Sequence, residues 1–78
     1  MNKANIDPKI DRLVKMANQI ALNMAANGTE EEVAEEIAQH LKRFWSPSMK
    51  RSISEHLVIF EDNLSPLAYK AFVILSNE

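Results

Sequence analysis

Residues 40–51 read HLKRFWSPSMKR, and they hold the only tryptophan of the chain together with its densest positive charge. Proline does not fit a helix interior, so Pro47 must end the helix that carries Trp45. The side chain of Ser46 can cap the next helix, and Pro47 suits the first helical position, where no N–H is needed. The stretch therefore predicts that one helix ends and another begins within two residues, with the chain turning sharply beneath the indole.

The same kind of signal recurs along the chain. After a polar leader at residues 2–6, Asp7-Pro8 and later Ser65-Pro66 repeat the cap-then-proline pattern, and Thr29-Glu30-Glu31-Glu32 is a capping box. Gly28 is suited to a left-handed conformation after the last turn of the first helix. Together these signals predict a small all-α, single-domain bundle over residues 1–78, with four helices at about 8–26, 30–45, 47–61 and 66–75.

Apolar residues at helical spacing predict which faces are buried. The apolar face of the second helix includes Phe44 and Trp45, and that of the third includes His56, whereas Val58 falls among polar residues. The last predicted helix is apolar nearly all round, so it must be buried on several sides or contact a partner. Residues 69–75 would also suit a β-strand, but the chain offers no second strand to pair with them, so a helix is favoured.

Composition limits the classes of function. The chain has 78 residues, no cysteine and a formal net charge of -2, which excludes a disulfide framework and thiolate ligands and disfavours a general nucleic-acid binder. Nothing at the start of the chain is typical of a signal peptide, and no run approaches the roughly 18 apolar residues of a membrane span. We therefore expect a soluble, intracellular protein.

Catalytic and metal-binding patterns are weak. Glu36 lies one turn before His40, and His56 on a neighbouring helix is the only other histidine, so a metal-dependent enzyme would lack a fourth ligand among these residues. The serines before Pro47 and Pro66 are explained by capping, and a glycine-rich phosphate loop is missing. The sequence therefore predicts no catalytic residue, no cofactor-binding residue and no metal ligand, with the metal-dependent enzyme as the least favoured alternative.

A docking surface is the more promising interpretation of residues 40–51. Lys42, Arg43, Lys50 and Arg51 lie on either side of the predicted turn, next to Trp45. Tryptophan and arginine are enriched where proteins bind each other, because they offer large contact area and several hydrogen-bond donors. Two alternatives stay open: Trp45 is the largest core residue and the cations are its solvated surroundings, or the same cations make the protein a small helical regulator that binds nucleic acid.

Three stretches together resemble one family, the delta subunit of bacterial NAD-dependent, molybdenum-containing formate dehydrogenases. They are LVKMANQIA at residues 13–21, His40 followed by FWSPSMK at 44–50, and LSPL at 64–67 followed by Ala71. The chain differs from the family pattern at Ser46, where an acidic residue is expected, and at Lys50, where arginine is expected.

The resemblance implies a non-catalytic accessory subunit of a cytoplasmic enzyme complex. The large subunit of that complex would hold the molybdenum cofactor and iron–sulfur clusters, and this chain would bind none of them. It would dock on the large subunit and support assembly or cofactor maturation, and two copies could also pair through the last helix. The residues predicted to contact a partner are Trp45, Lys42, Arg43, Lys50, Arg51, Asn18, Gln19, Leu22, Tyr69 and Val73.

Overall fold

The computed structural model describes residues 7–77, and this range contains helices and no strand. The α-helices are α1 (Pro8–Met24), α2 (Glu30–Phe44), α3 (Pro47–Ser54), α4 (Leu57–Phe60) and α5 (Pro66–Ser76), with a 3-10 turn at Ala25–Asn27 after α1. The prediction of a small all-α bundle is confirmed, and the alternative of a strand at 69–75 is wrong. The predicted leader at residues 2–6 lies outside the described residues.

Four helices begin at the caps that the sequence predicts. Each cap side chain accepts a hydrogen bond from a backbone N–H in the first turn, which satisfies one of the donors that a helix start leaves unpaired. At α2 the bond is reciprocal, because the Glu32 carboxylate also accepts from the Thr29 N–H at 3.0 Å. The four caps are Asp7 for α1, Thr29 for α2, Ser46 for α3 and Ser65 for α5.

Gly28 does not adopt the left-handed conformation, so that prediction is wrong. Its backbone is extended, with φ 166° and ψ -159°, because α1 has already tightened into the 3-10 turn before the chain reaches it. A Cβ atom at this position would lie 2.6 Å from Glu32 Oε1, the oxygen that closes the capping box. The position therefore uses the absence of a side chain and not the conformational freedom of glycine.

The third predicted helix is broken. α3 ends at Ser54, and His56 has the non-helical angles φ -132° and ψ 38° before the single turn of α4. The break turns His56 outward with Val58 and Ile59, while Phe60 enters the core. The prediction that His56 lies on a buried face is therefore wrong, since it assumed one continuous helix through residue 61.

The core lies where α5 packs against α2, with α1 and α3 closing its sides. Trp45 is only 5% exposed, and its ring centroid lies 5.9 Å from that of Phe72. Phe44 was predicted to share this buried face but is 69% exposed. Neighbouring helical residues point about 100° apart, and Trp45 already has extended backbone angles, φ -89° and ψ 140°. These angles direct the indole inward and leave the phenyl ring in solvent.

Candidate interaction surfaces

The structure brings together three of the four predicted cations. Lys42, Lys50 and Arg51 line one shallow depression, closed on its far side by Leu75 and Ser76 of α5. We call these three residues the basic corner. Arg43 lies apart from it and lines another groove, beside His40 and the exposed Phe44.

The cations of the basic corner have contacts within the protein itself. Lys50 Nζ donates to the Lys42 carbonyl oxygen at 3.3 Å, in the last turn of α2, where positive charge also complements the helix dipole. Arg51 Nε lies 3.9 Å from Glu55 Oε2 in an exposed pair, which contributes little to stability. Trp45 is part of the core, so little of its indole can meet a partner. Partner contacts at these residues stay a prediction.

Four other predicted contact residues gather around Pro66. Asn18 and Leu22 of α1 line one shallow groove, Tyr69 and Val73 of α5 line the next, and Pro66 borders both. We call this combined surface, which also includes Leu67, the Pro66 groove. Leu22 is 71% exposed and Val73 is 37% exposed, so two large aliphatic side chains reach solvent on the same surface. Gln19 lies outside it and donates to Asn23 Oδ1 at 3.2 Å.

Asn18 fixes one wall of the Pro66 groove. Its Nδ2 donates to the Asn63 carbonyl oxygen at 2.9 Å, and its Oδ1 accepts from the Ser65 N–H at 2.8 Å. Both bonds join α1 to the segment just before α5, and both are partly shielded from water. The amide therefore sets where α5 begins, a role that its position at the edge of the apolar face of α1 does not reveal.

The rim of the Pro66 groove is acidic. Glu30, Glu61 and Asp62 line it together with Lys70. Lys70 Nζ lies 3.5 Å from Glu31 Oε2 and 3.9 Å from Glu30 Oε2, so its charge is shared with the start of α2. Sequence reasoning missed Glu61 and Asp62, because they approach Glu30 only through the tertiary fold. No local pattern signals that approach.

The histidines and the acidic residues near them do not assemble a metal centre. His40 packs against the ring of Phe44 with centroids 4.8 Å apart, and the Glu36 carboxylate accepts from Asn27 Nδ2 at 3.4 Å. His56 is exposed at the start of α4. Across residues 7–77 we find no group of three or more histidine, aspartate or glutamate side chains placed to hold a metal ion. Within the same residues, no helix has both the length and the apolar character to cross a membrane.

The fold and the Pro66 groove define a class: small helical proteins with an apolar surface open to solvent. A comparison with protein-family models is more specific. Residues 12–72 match the model described as NADH-dependent formate dehydrogenase delta subunit FdsD, and the chain belongs to this family. The resemblance seen in the sequence is thereby confirmed, and the match spans the basic corner and all of the Pro66 groove except Val73. Searches of curated proteins and of solved structures gave no match.

Proposed function

We propose that this chain is a non-catalytic accessory subunit that docks on the large subunit of an NAD-dependent formate dehydrogenase in the cytoplasm. Its role would be to support assembly of the enzyme or maturation of its cofactor. The observation that carries the proposal is family membership over residues 12–72, which implies association with formate dehydrogenase subunits.

The Pro66 groove supports a role based on binding. Leu22 and Val73 expose aliphatic surface in two adjoining depressions that share Pro66 and Glu30. Each square ångström of such surface removed from water contributes about 25 cal/mol to association, before the costs of ordering are subtracted. The helices on both sides are joined by the hydrogen bonds of Asn18, so docking requires little rearrangement of the groove.

A subunit of this kind acts by mass action. If it binds one conformation of the large subunit and not its unfolded or open forms, it stabilises that conformation by about 2.7 kcal/mol at a concentration 100 times its Kd. A conformation that accepts or retains the cofactor would then be populated for longer. No reaction on this chain is required, in keeping with the prediction that it has no catalytic residue.

Two copies pairing through α5 form the competing arrangement. A symmetric pair whose grooves meet on the twofold axis would bring the acidic rims together, and like charges directly opposed are destabilising. Nucleic-acid binding has weaker support, since the basic corner joins only three cations in a chain whose net charge is -2. A larger protein partner is therefore the occupant that we favour.

The test is to recover the tagged chain from its native host at near-physiological salt and to identify the bound proteins by mass spectrometry. We expect the large subunit of a formate dehydrogenase to co-purify. Deleting the chain should then leave that subunit poorer in molybdenum or less completely assembled. Recovery of the chain alone, or with nucleic acid, would contradict the proposal.

A further inference from the structure

The charges around the Pro66 groove are unbalanced. Among the described residues that line or adjoin it, the carboxylates of Glu30, Glu31, Glu61 and Asp62 face the single ammonium group of Lys70. Lys70 is closest to the two glutamates at the start of α2, so Glu61 and Asp62 form the acidic side of the rim. An apolar floor with such a rim prefers a ligand that is both apolar and positively charged.

From this arrangement we infer that the Pro66 groove binds a cationic amphipathic segment of the partner protein. An apolar side chain of the segment packs between Leu22 and Val73, and a flanking lysine or arginine reaches Glu61 and Asp62. The inference rests on the proposed function, because the segment belongs to the large subunit. It adds the chemistry of the segment and the residues that select it.

Charge complementarity favours this occupant over a second copy whose groove faces it across a twofold axis. Two grooves placed face to face would bring Glu61 and Asp62 of one copy towards those of the other, which raises the free energy of the pair. A head-to-tail contact between this groove and the basic corner of another copy would satisfy the charges. Made once, that contact extends into open chains, and made reciprocally about a twofold axis it closes a dimer. Both forms of self-association are outcomes that the experiment must distinguish.

The experiment compares two charge-reversed variants in binding to the purified large subunit. Glu61→Lys/Asp62→Lys changes the acidic side of the rim, and Glu35→Lys/Glu36→Lys makes the same change in net charge on an exposed part of α2 outside the groove. We expect the first to weaken binding by about tenfold or more at low salt, and the second by less than about threefold. The difference should shrink as salt is added, because exposed charges are screened.

Each result has one meaning. Equal binding by the two variants, or stronger binding by Glu61→Lys/Asp62→Lys, overturns the inference while the proposed function stands. Failure of the unaltered chain to bind the large subunit overturns the proposed function and removes the basis of the inference. Far-UV circular dichroism checks that each variant is folded. The neutral variant Glu61→Gln/Asp62→Asn should lose an intermediate amount of affinity if charge is the cause.

Carbodiimide cross-linking gives a second readout on the unaltered chain. It joins carboxylates directly to lysine amines, and we expect links from Glu61 or Asp62 to a lysine of the large subunit. Links from these residues to Lys50 of another copy, in a dimer or a larger species, would replace the inference with self-association between the groove and the basic corner.

Discussion

The basic corner and the Pro66 groove both lie where a Ser-Pro pair starts a helix, yet the corner exposes cations and the groove exposes aliphatic side chains with an acidic rim. At the corner, the residue before Ser46 is Trp45, whose extended backbone turns a large ring into the core against Phe72. At the groove, the residue before Ser65 is the smaller Leu64, and Asn18 holds the chain by hydrogen bonds instead of by bulk. Trp45 and Leu64 are equally buried, each 5% exposed. The comparison teaches that a helix-start signal fixes the backbone and buries the preceding side chain, while the neighbouring helices determine what reaches solvent.

Trp45→Ala should have the largest effect, because it removes a ring that is buried in the core against Phe72. Large-to-small changes of buried aromatic residues cost about 3–5 kcal/mol, a large part of the stability of a small domain. Phe44→Ala, one residue earlier and mostly exposed, should cost less than about 0.5 kcal/mol. Urea unfolding followed by far-UV circular dichroism measures both. A similar loss in the free energy of unfolding for Trp45→Ala and Phe44→Ala would contradict the assignment of one ring as buried and the other as exposed.

Asn18→Ala tests what holds the groove in place. It leaves the Ser65 N–H and the Asn63 carbonyl without their partner, and we expect a loss of about 1–3 kcal/mol in the free energy of unfolding. Gln19→Ala is the matched control, since its exposed bond to Asn23 contributes about 0.2–0.5 kcal/mol. If Asn18→Ala and Gln19→Ala lower the free energy of unfolding by the same amount, the hydrogen bonds of Asn18 from α1 to the start of α5 do not fix the groove.

Val73→Asp tests the open surface without disturbing the core. Val73 is partly exposed, so the loss of stability should stay below about 1 kcal/mol, whereas a carboxylate buried against an apolar partner should weaken association by about tenfold or more. Val58→Asp introduces the same group at a valine that is 81% exposed but lies outside the groove. Equal loss of binding to the large subunit by the two variants would argue against the Pro66 groove as the docking site.

Lys50→Ala should have the smallest effect. Its amine donates to a carbonyl oxygen in the last turn of α2, and such an interaction contributes about 0.3–1 kcal/mol, decreasing with salt. Lys15→Ala is the control, because that lysine pairs with Asp11 inside α1 and away from a helix end. If Lys50→Ala leaves the free energy of unfolding unchanged at low salt and instead weakens binding to the large subunit, the basic corner has a docking role and not a structural one.

Local signals explain what could be predicted from the sequence. Caps and prolines fix their own first turns, so Asp7, Thr29, Ser46 and Ser65 all begin helices as expected. The break near His56 has no proline or glycine to announce it, and it follows from how Phe60 and Leu64 reach the core. The spacing of apolar residues along the sequence therefore does not predict the break.

The candidate site also has a part that the sequence indicates and a part that depends on tertiary packing. Leu22, Tyr69 and Val73 could be singled out because they fall outside their helices' apolar faces, but their gathering around Pro66 depends on how α1 and α5 pack. Trp45 attracted a functional interpretation because of its residue type, and its burial follows from one extended backbone position at the end of α2. Glu61 and Asp62 were missed because nothing near them in sequence indicates that Glu30 lies across the groove.

Hydrogen–deuterium exchange of the chain, alone and bound to the large subunit, compares the two regions most directly. If the Pro66 groove is the docking site, amides of residues 61–73 and of the end of α1 should exchange more slowly in the complex, while those of residues 47–51 change little. Protection confined to residues 42–51, with the groove exchanging as in the free chain, would contradict the account and return the docking surface to the basic corner.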